Sequence, residues 1–489
     1  MTNKILDVIP QRYVLGVMGF FATTNTYAMR VVMNIAITQM TLQQAATHVD
    51  PNSCPGDEGS SSGNDTTTHI TDPVYDWSES TKGLILSSFF YGYIVTHLPG
   101  GVLAEKWGGK HTLGIGILIG AVMTVLTPWI LTATDGNWKI LMITRIFIGF
   151  GQGTSNPAIN SLLAKWVPLK ERATIGTLVF GGSQMGTIIC SAICGALIHV
   201  TKSWASVFYL FGGLGIIWYI LWQILCYSSP QQHPFIGEKE KNYLKKEIEG
   251  ISTKKPNTPW KAMLTSAPVW ALVAAQAGHD WGFFTILTEL PTYMSEVLKF
   301  NIKDNGLWNS LPYIVMWVCS LSSGKLCDWM IAKGYIKVTL ARKIFTTLAA
   351  VGPSIFIMAA SYAGCDKALT VGMFTISLFL TGPFYCGFKV NALDIAPNHA
   401  GILMAIVNGI GSITGCVVPY LAGALTEDHT LLQWRLVFWI TGAVYVVTTI
   451  IFCIWGSGEL QPWNDLSSCS SEDKYPIKNC SDDLKKESV

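Results

Sequence analysis

Apolar segments of about 20 residues, the length needed to cross a bilayer as a helix, recur along this chain. That recurrence limits the fold more than any other feature. Twelve can be marked: 13–40, 82–103, 111–132, 140–163, 173–199, 206–227, 267–294, 307–328, 343–363, 368–389, 400–425 and 435–456. In hydrocarbon every backbone polar group must be satisfied inside its own segment, so segments of this kind fold as helices. Composition agrees: half of the 489 residues are hydrophobic and 13% are charged, where a soluble domain carries about a quarter. The fold class expected is an all-α membrane protein with twelve transmembrane helices. The first run follows Lys4 and Arg12 and continues past signal-peptide length without a clear cleavage site, so it reads as a membrane helix. The connecting loops are too short for a soluble catalytic domain, and no GxSxG, HExxH or phosphate-loop motif is present. Neither an enzyme nor a nucleic-acid partner is expected; the surrounding partner is the lipid bilayer.

The basic residues set the orientation. With the N-terminus inside, about 24 of the 33 Lys and Arg fall on the inner side and about six outside, a strong positive-inside bias. Arg30, Lys82 and Arg145 are left in or at the spans. Both termini are therefore expected to be cytoplasmic. The 41–80 loop has no Lys or Arg and carries the sequon Asn64-Asp65-Thr66, which marks Asn64 as a glycosylation acceptor on the outer or lumenal side. The 12 cysteines are scattered, many inside apolar runs, with no CxxC or Cys/His metal spacing. They read as small buried apolar residues. Cys54 and Cys365 both fall in external loops, where a disulfide and two free thiols remain open alternatives. No cofactor or metal is expected.

The chain repeats. "GVLAEKWGGK" follows the second span and "GKLCDWMIAKG" follows the eighth; "GAL" closes the fifth at Gly195 and the eleventh at Gly423. "KWVPLKERA" and "LDIAPNHAG" stand at matching positions before those two spans. Two pseudo-symmetric six-helix bundles explain this, 1–227 and 267–456, joined by a cytoplasmic loop at 228–266 with seven lysines and followed by a tail at 457–489. A parallel repeat of this kind places a substrate site near mid-membrane between the bundles.

"GVLAEKWGGK" is similar to the loop signature of the major facilitator superfamily, with Glu105 in place of the usual Asp. More specifically, the chain resembles solute carrier family 17, the anion:cation symporters, most of all its invertebrate inorganic phosphate cotransporters and sialin-like proteins. The matching stretches are "SSFFYGYIVTHLPGG" (87–101), "RIFIGFGQG" with "PAINSLLAKWVPLKER" (145–172), "LPTYMSEVLKFNIKDNGLWNSLPY" (290–313) and "NALDIAPNHAGILMAIVNG" (391–409). The resemblance implies the major facilitator fold, with helices 1, 4, 7 and 10 lining a central cavity, and transport of small anions by a single chain.

Within such a fold the charged residues in the spans become candidates. A guanidinium at mid-helix costs about 2.5–3.5 kcal/mol on insertion scales, so Arg30 and Arg145 need a reason to be there. At 1.5 Å per residue both lie in the outer half at similar depth. Together they would make a multidentate anion site, and the resemblance places the family's anion-binding arginines at these positions. Arg145, Gln152 and Asn156 share a helical face, and Thr23, Tyr27, Arg30 and Asn34 form a stripe on helix 1. Substrate contacts are therefore expected from Arg30, Arg145, Gln152, Asn156, Tyr27 and Asn34. In helix 7, His279, Asp280 and Glu289 are the candidate coupling groups. Tyr385 and Lys389 in helix 10 are weaker candidates. Glu105, Lys106, Asp328 and Asp394 belong to the inner-loop or gating set. Relatives that move protons carry a Glu seven residues after the helix-4 Arg, where this chain has Gln152. The vesicular glutamate transporters have a helix-2 His at Leu86 and a helix-7 Arg at His279. Gln152 cannot titrate, which favours sodium or voltage coupling over a proton.

The expectation is a symporter for inorganic phosphate or small organic anions, with sodium or a proton as the co-transported ion. The plasma membrane is preferred over a lysosomal or vesicular one. Proton-coupled, sialin-like export of acidic sugars or acidic amino acids, and an anion channel, are the alternatives.

Overall fold

The computed structural model describes residues 10–41, 71–249, 259–300, 302–396, 399–427 and 430–464. The first membrane pass is α1 (Gln11–Met40), followed by α2 (Glu79–Lys106) and α3 (Gly109–Ala133). The fourth pass is divided at Thr154 into α4 (Trp138–Gly153) and α5 (Ser155–Trp166). Two long helices, α6 (Leu169–Thr201) and α7 (Ala205–Leu225), complete the first bundle. Between the bundles lie α8 (Glu238–Glu249) and the short α9 (Trp260–Leu264).

The second bundle is more broken. Its first pass is α10 (Ala267–Phe284), a π-helical turn at Thr285–Glu289 and α11 (Leu290–Glu296). Two continuous helices follow, α12 (Ile302–Ala332) and α13 (Val338–Ala360). The tenth pass is α14 (Lys367–Thr381), a 3-10 turn at Gly382–Tyr385 and α15 (Phe388–Ile395). The eleventh is α16 (Ala400–Gly411) and α17 (Thr414–Leu425), and α18 (Leu431–Trp455) is the twelfth. The continuous spans read from the sequence at 140–163, 267–294, 368–389 and 400–425 are thus each interrupted, at Thr154, at the π turn, at Gly382–Tyr385 and near Ser412. Backbone irregularity at membrane depth is tolerated where protein or a cavity surrounds it.

Helix starts at the end of the bundles away from the helix-1 N-terminus, labelled the outer side as the basic residues suggest and the opposite end the inner side, are tied down by side chains, as their orphan amides require. Ser78 caps α2, Asn137 caps α4 and Asp366 caps α14. Thr430 and Gln433 form a capping box on α18, and Asp72 accepts the Ala205 amide at 2.9 Å at the start of α7. Cys365, in the loop before α14, is disulfide-bonded; Cys54 lies outside the described residues, as does Asn64.

Packing repeats with a shift of six passes. Helix α1 packs on α6 as α10 packs on α16 and α17, α2 on α4 as α12 on α14, and α3 on α7 as α13 on α18. The bundles meet where α2 faces α17 and where α6 faces α12, the same relation seen from each half. Glycine makes the closest of these contacts possible. A Cβ at Gly149 of α4 would run into the Phe89 carbonyl of α2, and one at Gly92 of α2 into the Ile146 carbonyl of α4. The two backbones therefore touch, as small residues allow in membrane packing. Gly149→Val is expected to separate α2 from α4 and to destabilise the protein by about 1–3 kcal/mol or more through overpacking. A fall in the unfolding midpoint of the purified protein, with reduced yield, checks this; an unchanged midpoint refutes it.

Eight helical segments are apolar and long enough to cross a membrane among the described residues. The first, second, fourth and seventh passes are not among them. Those four carry Arg30, Lys82, Arg145 and the group His279, Asp280 and Glu289. The polar passes gather at the junction of the two bundles, where α1 packs against α11 and the π turn and α2 against α17.

Candidate functional site

Arg30 and Arg145 are 5% and 3% exposed, so both guanidiniums are inside the protein and not at an interface. They come together. Each charge is close enough to act on the other, and both adjoin the Phe89 ring, whose centroid is 4.5 Å from the Arg30 guanidinium carbon and 5.4 Å from that of Arg145. Arg30 is further ringed by Tyr27 at 4.8 Å and Tyr93 at 4.9 Å. These π faces partly replace water around a cation. They do not satisfy its N–H groups. Neither arginine has an ion pair among the described residues, and the Nε of each is buried without an acceptor.

The neighbours of Arg30 come from α2, α5 and the second bundle. Its guanidinium reaches the Tyr93 hydroxyl, which also accepts from Asn156 Nδ2 at 3.1 Å. The His97 ring lies 5.3 Å from the Tyr93 ring, and its Nδ1 has no partner. Sequence reasoning missed Tyr93 and His97; with Phe89 they lie on α2 at intervals of four, a spacing that the sequence does contain.

The expected helix-1 stripe divides. Thr23 donates to the Val179 carbonyl of α6 at 2.5 Å and is used in packing. Asn34 Nδ2 donates to the Leu287 carbonyl in the π turn at 2.9 Å, so it ties the two bundles together. Tyr27 and Arg30 remain with the site. The helix-4 face divides too. Gln152 is 1% exposed and turned toward Gly120 of α3, which Met29 also approaches. Both its carboxamide atoms lack partners. It thus sits at the junction of α1, α3 and α4, apart from the Tyr93–Asn156 pair.

Across from Arg30 the second bundle contributes a connected polar group. Lys389 Nζ of α15 donates to Asn408 Oδ1 of α16 at 2.7 Å and to Gln276 Oε1 of α10 at 3.2 Å. Gln276 Nε2 in turn donates to Asp280 Oδ1 at 2.7 Å. Asp280 lies within electrostatic reach of both Arg30 and Lys389. His279 is held differently: its ring stacks on Phe384 with centroids 3.7 Å apart and is flanked by Phe283 and Phe388. Tyr385 receives a hydrogen bond from Gln184 of α6 at 3.0 Å, a link between the bundles at mid-depth.

Glu289 does not join this centre. It accepts from Thr288 Oγ1 at 2.8 Å and lies near Glu79, Lys82 and Glu296 at the outer end. Lys82 bridges Glu79 and Glu296, reaching the latter at 3.0 Å, and so connects α2 to α11. Ser80 Oγ donates to Glu427 at 2.6 Å, and Gly83 faces the Pro419 carbonyl with no room for a side chain. The outer ends of the bundles are closed against each other.

On the inner side no ion pair among the described residues links one bundle to the other: they join the first bundle to itself and to α8, or stay within the second. Arg12 bridges Glu171 at 2.7 Å and Glu240 of α8 at 3.0 Å. Burial opposes the Arg12 charge, but the two carboxylates outweigh it and hold its pKa above the ordinary value. Asp394, a candidate for the inner gate, pairs with Arg342 of α13 at 2.6 Å, which also donates to the Cys386 carbonyl. Both α13 and α15 belong to the second bundle, so in this arrangement the pair does not cross to the first. Asp328 and Lys106 are exposed and form no ion pair among the described residues, and the side chain of Glu105 lies outside them.

The family profile of the Major Facilitator Superfamily matches residues 15–419. Human sialin is 38% identical over 452 residues, covering 92% of this chain and 90% of sialin. A Drosophila melanogaster protein named "Putative inorganic phosphate cotransporter" is 39% identical over 477 residues, covering 95% and 89%. Vesicular glutamate transporter 3 of Danio rerio is 33% identical over 470 residues, covering 95% and 76%. Among solved structures, a bacterial homologue of the human lysosomal transporter Spinster, crystallised inward-facing and occupied, superposes with a TM-score of 0.66 at 12% identity, covering 90% of this chain and 96% of that one. A D-xylose–proton symporter gives the same TM-score at 12% identity, covering 91% and 98%. The chain belongs to the major facilitator superfamily and, within it, to solute carrier family 17, the group of sialin, the inorganic phosphate cotransporters and the vesicular glutamate transporters.

Proposed function

We propose that this protein is a secondary active transporter that carries inorganic phosphate or a small organic anion by alternating access, with sodium or the membrane potential supplying the coupling. One observation carries the reading. Two guanidiniums are buried side by side at the bundle junction, within reach of each other's charge, and among the described residues no carboxylate pairs with either. Buried charge of one sign is retained in a membrane protein where it faces a pathway or a ligand. An oxyanion matches the fork geometry of the donors. The arrangement that is tied at its outer ends, with no inner-side ion pair between the bundles among the described residues, suits one of the two access states of a rocking pair of bundles.

Gln152 supports sodium or voltage over a proton, because a carboxamide offers no titrating carboxylate on α4. Asp280 and Glu289, both buried carboxylates, support the second reading, a proton-coupled export of acidic sugars or acidic amino acids. A single chain forms the whole pathway. The termini face the cytoplasm and Asn64 carries a glycan on the opposite face, with the plasma membrane as the site of action; surface biotinylation checks the location. The deciding experiment is uptake of labelled phosphate, glutamate, sialic acid and urate into proteoliposomes, with sodium, pH and voltage varied independently. Saturable phosphate or organic-anion uptake that follows sodium or voltage is expected. Uptake of sialic acid alone, driven by a proton gradient without sodium, overturns the preferred reading. Uptake that never saturates points to a channel.

A further inference from the structure

The two arginines belong to the first bundle. A carrier that rocks two bundles around one site needs its cargo to touch both, or closing one side brings no contact that opening it lacks. The cation available on the second bundle is Lys389. It stands on α15 just after the 3-10 turn that breaks the tenth pass, and it is half-buried. Its two described acceptors are neutral amide oxygens, Asn408 Oδ1 at 2.7 Å and Gln276 Oε1 at 3.2 Å. An ammonium has three N–H donors, so one is left over. Asp280 does not pair with it directly; the Gln276 carboxamide stands between them, accepting from Lys389 and donating to Asp280 at 2.7 Å. Lys389 is thus held in position while its charge stays largely available.

Arg30 and Lys389 stand on either side of the junction of α2 with α10. The Arg30 guanidinium lies 5.8 Å from the Phe90 ring, which packs on Phe284 of α10 with centroids 4.7 Å apart. Phe284 is one turn from Asp280, which Gln276 joins to Lys389. Asp280 and His97 each lie within electrostatic reach of both cations. The charge count follows. Among the described residues the junction holds the cations Arg30, Arg145 and Lys389 and one carboxylate, Asp280, which lies within reach of Arg30 and Lys389. The excess is two positive charges. A doubly charged anion balances it, and a singly charged one leaves a buried cation uncompensated.

Resting on the anion-carrier reading above, we infer that Lys389 is the second-bundle contact of the carried anion, donating its free N–H to an oxygen opposite Arg30, and that the site selects divalent oxyanions over monovalent ones. Hydrogen phosphate and short dicarboxylates have the required charge and acceptors on opposite sides.

Anion-dependent shifts in the unfolding midpoint of the purified full-length protein test this, with hydrogen phosphate and succinate as divalent probes and gluconate and glucuronate as monovalent ones. The titrations are run at pH 7.5 and constant ionic strength. The wild type is expected to bind the divalent probes at least about tenfold more tightly, the scale of one charge-assisted hydrogen bond. Lys389→Gln is expected to lose that preference, weakening the divalent probes by at least about tenfold more than the monovalent ones. Lys389→Arg is expected to keep it, and Arg30→Gln to weaken both classes. A wild type without the preference, or a Lys389→Gln protein that retains it, overturns the proposal, because a lysine that only braces α10, α15 and α16 would change stability and not valence selection. Binding as expected with no uptake in proteoliposomes removes the transport reading and leaves this one standing. No binding of any probe overturns the anion site itself.

Discussion

Arg145→Met is expected to make the protein more stable and to abolish its transport. The two effects have one cause. Arg145 is 3% exposed, its Nε has no acceptor, and its nearest charge is the like charge of Arg30. Removing a mid-membrane guanidinium recovers about 2.5–3.5 kcal/mol on insertion scales. A methionine of similar length fills the space against Phe89 without new polar atoms. The same change removes charge-assisted donors from the anion, each worth about 1.5–3 kcal/mol. With more than one donor involved, uptake is expected to fall by about 100-fold or more. The unfolding midpoint and the initial rate of anion uptake, measured on one preparation, check both signs. A variant that is less stable and still transports at the wild-type rate would show that Arg145 is a structural residue and not part of the site.

Lys82→Met is expected to open the outer face. Lys82 lies between Glu79 and Glu296 and links α2 to α11, with Glu289 close by. All four side chains are largely buried. Taking the cation from a buried cluster of carboxylates costs about 3–5 kcal/mol, and that cost is borne only while the bundles are closed on the outside. A change of that size shifts the open-to-closed ratio by on the order of 100- to 5,000-fold. Spin labels at Ser78 and Leu432, on opposite bundles at the outer side, are expected to move apart in Lys82→Met relative to the wild type. An unchanged distance distribution would mean that the backbone contacts of Gly83 with Pro419 and of Gly423 with Glu79 hold the gate by themselves.

Much of this architecture is legible in the residues. The twelve passes, the two bundles and the pair Arg30–Arg145 follow from hydrophobic length, internal repetition and the cost of a charge in hydrocarbon. The breaks in passes 4, 7, 10 and 11 do not, since a run of apolar residues looks the same whether or not its hydrogen-bond ladder is interrupted. Periodicity also over-groups. Thr23, Tyr27, Arg30 and Asn34 share a helical face, yet one bonds α6, two meet at the site and one ties the bundles at Leu287. Gln152 shares a face with Arg145 but turns to Gly120, because α3 lies close along that side of α4.

Charge placement and segment length are local properties of the chain, so the order of the residues determines them outright. They settle that the protein spans a membrane, that it is built twice over, and that two arginines are out of place unless something negative meets them. Which residues surround those arginines depends on contacts between segments far apart in sequence. Tyr93 beside Arg30, Lys389 bonded to Gln276 and Asn408 in the other bundle, and Glu289 drawn into the outer gate with Lys82 all arise from how breaks in four helices and glycine contacts between two set the depth and rotation of each pass. No pattern along a single helix encodes that placement; it is decided by packing.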